Sequence, residues 1–221
     1  MTPIPRPLAY PSSLLVGTLL IVVAAAIHPD LTGDGAAQLA LIAHCDAWRA
    51  IHWAFLFGFT LSLAGLVGLV SRHVATPGEG AARAGIFVAV LAYAAWTIVV
   101  TFMLGAGWAL AQSYVTSEPG MTATRAVFLY DMTRGFALAA QRAAGFSLGV
   151  STYLVGLAAL RGRILPVWLG WAGVASGAVA VALAALFGEA TKADQAAFVL
   201  PVLWQLVSAL VQLAGGRGAA A

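Results

Sequence analysis

Side chains able to hold a metal or move a proton are few in this chain, and they gather in two places. The run His44-Cys45-Asp46-Ala47-Trp48-Arg49-Ala50-Ile51-His52 is the densest polar cluster, and His28-Pro29-Asp30 precedes it across a short segment. Imidazole, thiolate and carboxylate bind zinc, copper or iron, so His28, His44, His52, Cys45, Asp46 and Asp30 form a candidate transition-metal site. Haem is the other cofactor such a set could hold, with His52 opposed by His28, the one histidine on a different span and the same side. Helix rise limits both ideas. On one continuous helix His44 and His52 stand about 12 Å apart along the axis, too far to share an ion bound at roughly 2 Å. Asp46 is a suitable N-cap, and a break there would let His44 fold back toward His28 or His52.

Plainer roles stand beside ligation. His28 next to Pro29 ends a helix, His44 fits an exposed interfacial position, and Trp48 and His52, four apart, stack on one helix face. His52 lies about one and a half turns into an apolar span, a depth at which an ionisable group faces protein or water rather than lipid. His73, among arginines, reads as a solvated loop residue.

The second cluster is Asp131, Arg134, Gln141 and Arg142. Asp131 and Arg134 are spaced to pair on one helix face, while Arg142 at the rim is placed to receive an anionic group such as a lipid phosphate or a quinone head. Farther on, Gln205, Ser208 and Gln212 share a stripe below Pro201, which suits hydrogen bonds between helices. No GxSxG, HExxH, phosphate loop or dinucleotide fingerprint occurs, and no acid falls inside the hydrocarbon section of a span, as a proton-coupled carrier needs. No catalytic residue is assigned.

The elements that must position these residues are membrane spans. The 221 residues are 62% hydrophobic and 9% charged, against roughly 25% charged in soluble domains. Mean hydropathy is +0.93. A soluble core would need a polar skin that is missing here. The single Cys45 excludes an internal disulfide or CxxC pair, and the net charge of +3, dispersed between spans, gives no nucleic-acid footprint.

Apolar windows give six spans in one domain over 1–221, at about 12–28, 47–70, 84–115, 125–160, 164–187 and 196–214. The first, with Arg6 before it and Ala24-Ala25-Ala26 near its end, has the make-up of a signal segment but is read as an uncleaved span. Arg6, Arg72, Arg83, Arg161, Arg163 and Arg217 flank one side, with Glu79 the only acid among them. The other seven acids, Asp30, Asp34, Asp46, Glu118, Asp131, Glu189 and Asp194, fall opposite. The basic side is expected to be cytoplasmic, with both termini there, in a bacterial inner membrane.

The fourth span, helical from Arg125 to Leu160, would reach about 54 Å against roughly 30 Å of hydrocarbon. It must protrude, tilt or break, and Gly135 and Gly145 are the expected break points. The third span is also overlong and puts Gly105 to Gly107 at the outer interface. With a short helix from Gly35 to His44, these extensions build a small helical cap. The expected fold is an all-α six-span bundle with that cap on the extracytoplasmic side.

Small-residue ridges, Gly170, Gly173 and Gly177, Gly145 and Gly149, and Gly58 and Ser62, pack the helices or meet a membrane-protein partner or a second copy. Trp48, Trp53, Trp108 and Trp168 lie near span ends as interfacial anchors, whereas Trp96 sits mid-span as packing.

The junction Gly156-Leu157-Ala158-Ala159-Leu160, a short basic turn, then Ile164-Leu165-Pro166-Val167-Trp168-Leu169-Gly170-Trp171 resembles the six-span bacterial membrane proteins of domain of unknown function 4386. The resemblance covers about the last 80 residues, implies a six-span bundle, and assigns no functional residue. Two readings follow. One is a non-enzymatic membrane subunit or small-ligand-binding bundle associated with a larger complex. The other is a metal- or haem-binding redox or transport protein.

Overall fold

The computed structural model describes residues 8–116, 121–188 and 191–217. Arg6, Glu118 and Glu189, used above for orientation, lie outside them. The described residues form eight α-helices: α1 Ala9–Ile27, α2 Gly35–His44, α3 Trp48–Ser71, α4 Glu79–Phe102, α5 Trp108–Thr116, α6 Met121–Gly162, α7 Val167–Leu186 and α8 Lys192–Arg217. A π-helical turn, Met103–Gly107, joins α4 to α5, and no strand occurs among the described residues. Six helices are long and apolar enough to cross a membrane, counting α4 through α5 as one. The chain is an all-α, multi-pass membrane bundle.

Lipid tails give helices no hydrophobic reason to associate, so close backbone approach must do it. α1 packs on α3, and α6 on both α4 and α7. At Gly17 a Cβ would lie 2.6 Å from Ser62 Oγ and 2.8 Å from the Gly58 carbonyl oxygen, so α1 and α3 touch backbone to backbone. Gly177 on α7 meets the Gly149 carbonyl of α6 in the same way, at 2.6 Å from its added Cβ. The glycine ridges expected on the second, fourth and fifth spans therefore face other helices of the same bundle.

The overlong spans resolve differently from expectation. α6 is one unbroken helix of 42 residues, with no interruption at Gly135 or Gly145. A Cβ on Gly135 would meet nothing within 4 Å, so no neighbour forces a turn open there. The irregularity sits in the third span instead, as the π turn covering Gly105 to Gly107. α6 simply protrudes, and its first turns join α2 and α5 as a cap. That cap has its own core, in which Leu39, Ile42, Trp48, Met103, Ala111 and Tyr130 are buried together.

α2 matches the expected short helix, and Asp34 caps it by accepting from the Ala37 amide at 2.9 Å. The chain then breaks at Cys45, whose backbone is extended, and restarts at Trp48. Asp46 is not the N-cap. That position is Ala47, with no side-chain cap, and the turn is held by the Trp48 amide donating to the Cys45 carbonyl at 2.9 Å. Trp48 is fully buried rather than interfacial, its Nε1 donating to the Met103 carbonyl at 3.1 Å. This bond ties the start of α3 to the π turn. Trp53 and Trp168 are exposed, as membrane anchors would be.

At the opposite end His73 is completely buried in the α3–α4 turn, not solvated. Neither of its ring nitrogens has a hydrogen-bond partner, because the ring fills a gap beside Gly78 and Gly162. In the interior of the bundle the Tyr93 hydroxyl donates to Gln205 Oε1 at 2.7 Å, and at the exposed end Arg72 donates to Gln212 Oε1 at 3.0 Å. Gln205 and Gln212 of the sixth-span stripe thus bond across helices, whereas the Ser208 hydroxyl is buried without a partner among the described residues.

Gly177→Leu should lower the melting temperature by many degrees in detergent, while Gly135→Ala, in open space, should stabilise by roughly 0.5–1 kcal/mol. Burial, with the charge of Arg72 adding to it, holds the His73 imidazole below its ordinary range. The unfolded chain then takes up the proton first, so stability should be full above about pH 6.5 and fall as the pH drops below it. His73→Leu should make that fall shallower in thermal melts.

Candidate functional site

Trp48, His52 and Phe55 share one face of α3 through helical spacing, and His28 at the end of α1 meets that face. The His28 ring centroid lies 5.2 Å from Trp48 and 5.3 Å from His52, edge-on to the latter, and Trp48 and His52 stand 4.2 Å apart. His52 Nδ1 lies 2.7 Å from the Trp48 carbonyl and His28 Nδ1 lies 2.8 Å from the Pro29 carbonyl. Burial pushes the His28 imidazole down, against the opposing pull of the Pro29 carbonyl and Asp30.

The other residues of the candidate metal set point elsewhere. His44 is exposed, with Nδ1 2.7 Å from the Ala40 carbonyl of its own helix. Cys45 is a half-buried free thiol against the cap core, Asp46 is exposed, and Asp30 pairs with Lys192 at 3.8 Å. The break before α3 therefore does not fold His44 onto His28 or His52. Among the described residues no group of three or more His, Cys, Asp or Glu is placed to hold a metal ion. His28 and His52 touch edge to face, which leaves no slot for a porphyrin between them.

The two histidines border a cavity of about 500 Å³ between α1, α3, α4, α6 and α8, roofed by the loop before α2. Its size lies within the range of small-molecule sites. The deep wall is aromatic: Phe55, Trp96 and Phe198 line it, and the Trp96 and Phe198 rings lie 4.6 Å apart, tilted at 48°. Trp96 Nε1 is buried with no hydrogen-bond partner. Toward the cap, Gln38 donates to the Leu31 and Gly33 carbonyls, both at 3.1 Å, and accepts from the Tyr130 hydroxyl at 2.9 Å. The mouth carries Arg134, Gln141 and the exposed Lys192–Asp30 pair.

The second cluster divides. Arg134 and Gln141 line the cavity, and Gln141 donates to Asp194 at 3.3 Å. Asp131 makes no ion pair with Arg134. Its carboxylate packs against Gly35 at the amino end of α2, where the helix dipole favours negative charge. Arg142 donates from Nε to the Ala184 carbonyl at 2.6 Å and from Nη2 to the Ala185 carbonyl at 3.1 Å. It thereby satisfies the last carbonyls of α7 rather than facing the cavity.

Sequence reasoning missed Gln38, Phe55, Tyr130, Trp96 and Phe198 as cavity residues. Phe55 had a signal, since it continues the Trp48–His52 face by three residues. Trp96 and Phe198 had none, because only the crossing of α4 and α8 makes them neighbours. The chain matches no family model, no curated protein and no solved structure.

Tyr130→Phe should leave buried Gln38 Oε1 without its donor and destabilise the cap by about 1–3 kcal/mol. Hydrogen exchange should show faster exchange confined to α2 and its flanking loop, with the amides of α7 unchanged.

Proposed function

We propose that this protein is a non-enzymatic membrane bundle that binds a small amphipathic ligand in the cavity beneath its cap. The carrying observation is the cavity itself: an aromatic floor, two imidazoles at mid-depth and a charged mouth, in an order that matches an apolar body below a polar head. Its walls come from five helices, so occupancy would also brace the bundle. The basic turns at the other end, with Arg72, Arg83, Arg161 and Arg163, support a cytoplasmic face there and an extracytoplasmic cap. Association with a larger complex fits a bundle of this kind, and the carboxyl-half resemblance to domain of unknown function 4386 adds a six-span precedent without an activity.

Mass spectrometry of organic extracts tests this reading. Protein purified in mild detergent should carry an amphiphile near one per chain, and Ala137→Trp, which fills the cavity from α6, should lose it while retaining helical content. Extracts indistinguishable from bulk lipid for both proteins would contradict the reading.

A second reading has one specific observation in its favour. His28 and His52 each commit Nδ1 to a backbone carbonyl, the arrangement that orients a histidine to ligate through Nε2. A transition metal held by that pair would take its remaining ligands from water or a bound molecule. Metal analysis decides it: stoichiometric zinc or copper lost in His52→Phe supports it, and metal content equal in both proteins sinks it.

A further inference from the structure

The cavity wall also specifies which head group it accepts, an inference that rests on the ligand-binding reading above. A backbone carbonyl can only accept, so the 2.8 Å and 2.7 Å contacts of His28 and His52 place the ring hydrogen on Nδ1 in both. A neutral imidazole with that hydrogen fixed offers Nε2 as a lone-pair acceptor. No carboxylate hydrogen-bonds to either ring among the described residues, and His52 is only 3% exposed. His52 Nε2 has no hydrogen-bond partner there either.

Among the other polar groups of the wall Gln38 is satisfied, while the Trp96 indole N–H is unpaired among the described residues but buried beneath the wall surface. Both donor contacts of the Gln38 amide end on carbonyls, and its oxygen is taken by Tyr130. Arg134 and Lys192 belong to the mouth. At mid-depth the ligand therefore meets an acceptor, while Phe55, Trp96 and Phe198 present ring surface below it. A carboxylate or phosphate would bring lone pairs to a lone pair. A hydroxyl brings the missing hydrogen, and an aromatic one is the stronger donor and matches the floor.

We propose that the cavity takes a membrane-soluble phenol or hydroquinone, its hydroxyl donating to His52 Nε2 and its ring packing on Phe55, Trp96 and Phe198. The interaction is binding only and transfers no electron.

The test compares two probes differing only in the donor. Metal-free protein in nanodiscs is titrated anaerobically with decylhydroquinone and with its dimethyl ether, following tryptophan fluorescence against empty nanodiscs. The hydroquinone should bind about tenfold more tightly, the worth of one buried hydrogen bond, and the ratio should collapse toward one in His52→Phe. His52→Gln, which keeps an acceptor, should retain part of the preference and serves if the phenylalanine variant does not fold. Equal affinities in the unaltered protein would overturn the donor inference while leaving the ligand-binding cavity standing. An unchanged preference in both His52 variants would overturn the assignment to His52. Binding of neither probe would overturn both this inference and the reading beneath it.

Discussion

Apolar spans of 38 and 40 residues cannot be contained in about 30 Å of hydrocarbon, and the rest of this architecture answers that constraint. At 1.5 Å per residue each spans roughly 60 Å, so about half of each must leave the bilayer. Both leave at the same end. α6 goes straight on, while the third span first passes through the π turn and continues as α5, which packs beside α6. α2 completes the cap because the break at Cys45 frees it from α3.

Besides the helices that run through both, Trp48 ties the cap to the bundle beside the cavity. Trp48 begins α3, is buried in the cap core, bonds to the π turn and packs at a tilt against both histidines. Below this level, glycine contacts draw α1 onto α3 and α6 onto α7 until backbones touch. Near the cap α3 carries His52 and Phe55, α4 carries Trp96 and α8 carries Phe198, and these rings line the cavity. Small residues therefore mark the close helix contacts, and bulky rings line the cavity.

Much of this was legible in the sequence, for physical reasons. Span number and ends follow from hydropathy, which acts locally, and the short helix at Gly35–His44 follows from Asp34 and an apolar run. The excess length of the third and fourth spans was countable, but how each would accommodate it was not. Gly135 seemed a weak point on propensity, yet an isolated glycine does not break a helix when nothing pushes on it. His73 looked like a loop residue among charges, whereas its burial depends on two glycines, Gly78 and Gly162, far apart in sequence. Of the candidate site, the meeting of His28 and His52 could be posed as a question from the sequence. The aromatic floor could not, because it requires the crossing of α3, α4 and α8.

The central claim is that a ligand-accessible cavity lies beneath the cap, and cysteine labelling tests it most directly. In a Cys45→Ser background, Ala137→Cys is placed on the cavity wall and Ser208→Cys in the sealed interior of the same bundle. A maleimide reagent applied to the protein in nanodiscs should label position 137 readily and position 208 hardly at all, and a bound amphiphile should protect position 137. Equal resistance of both positions to labelling, or labelling at 137 that no amphiphile slows, would contradict the account.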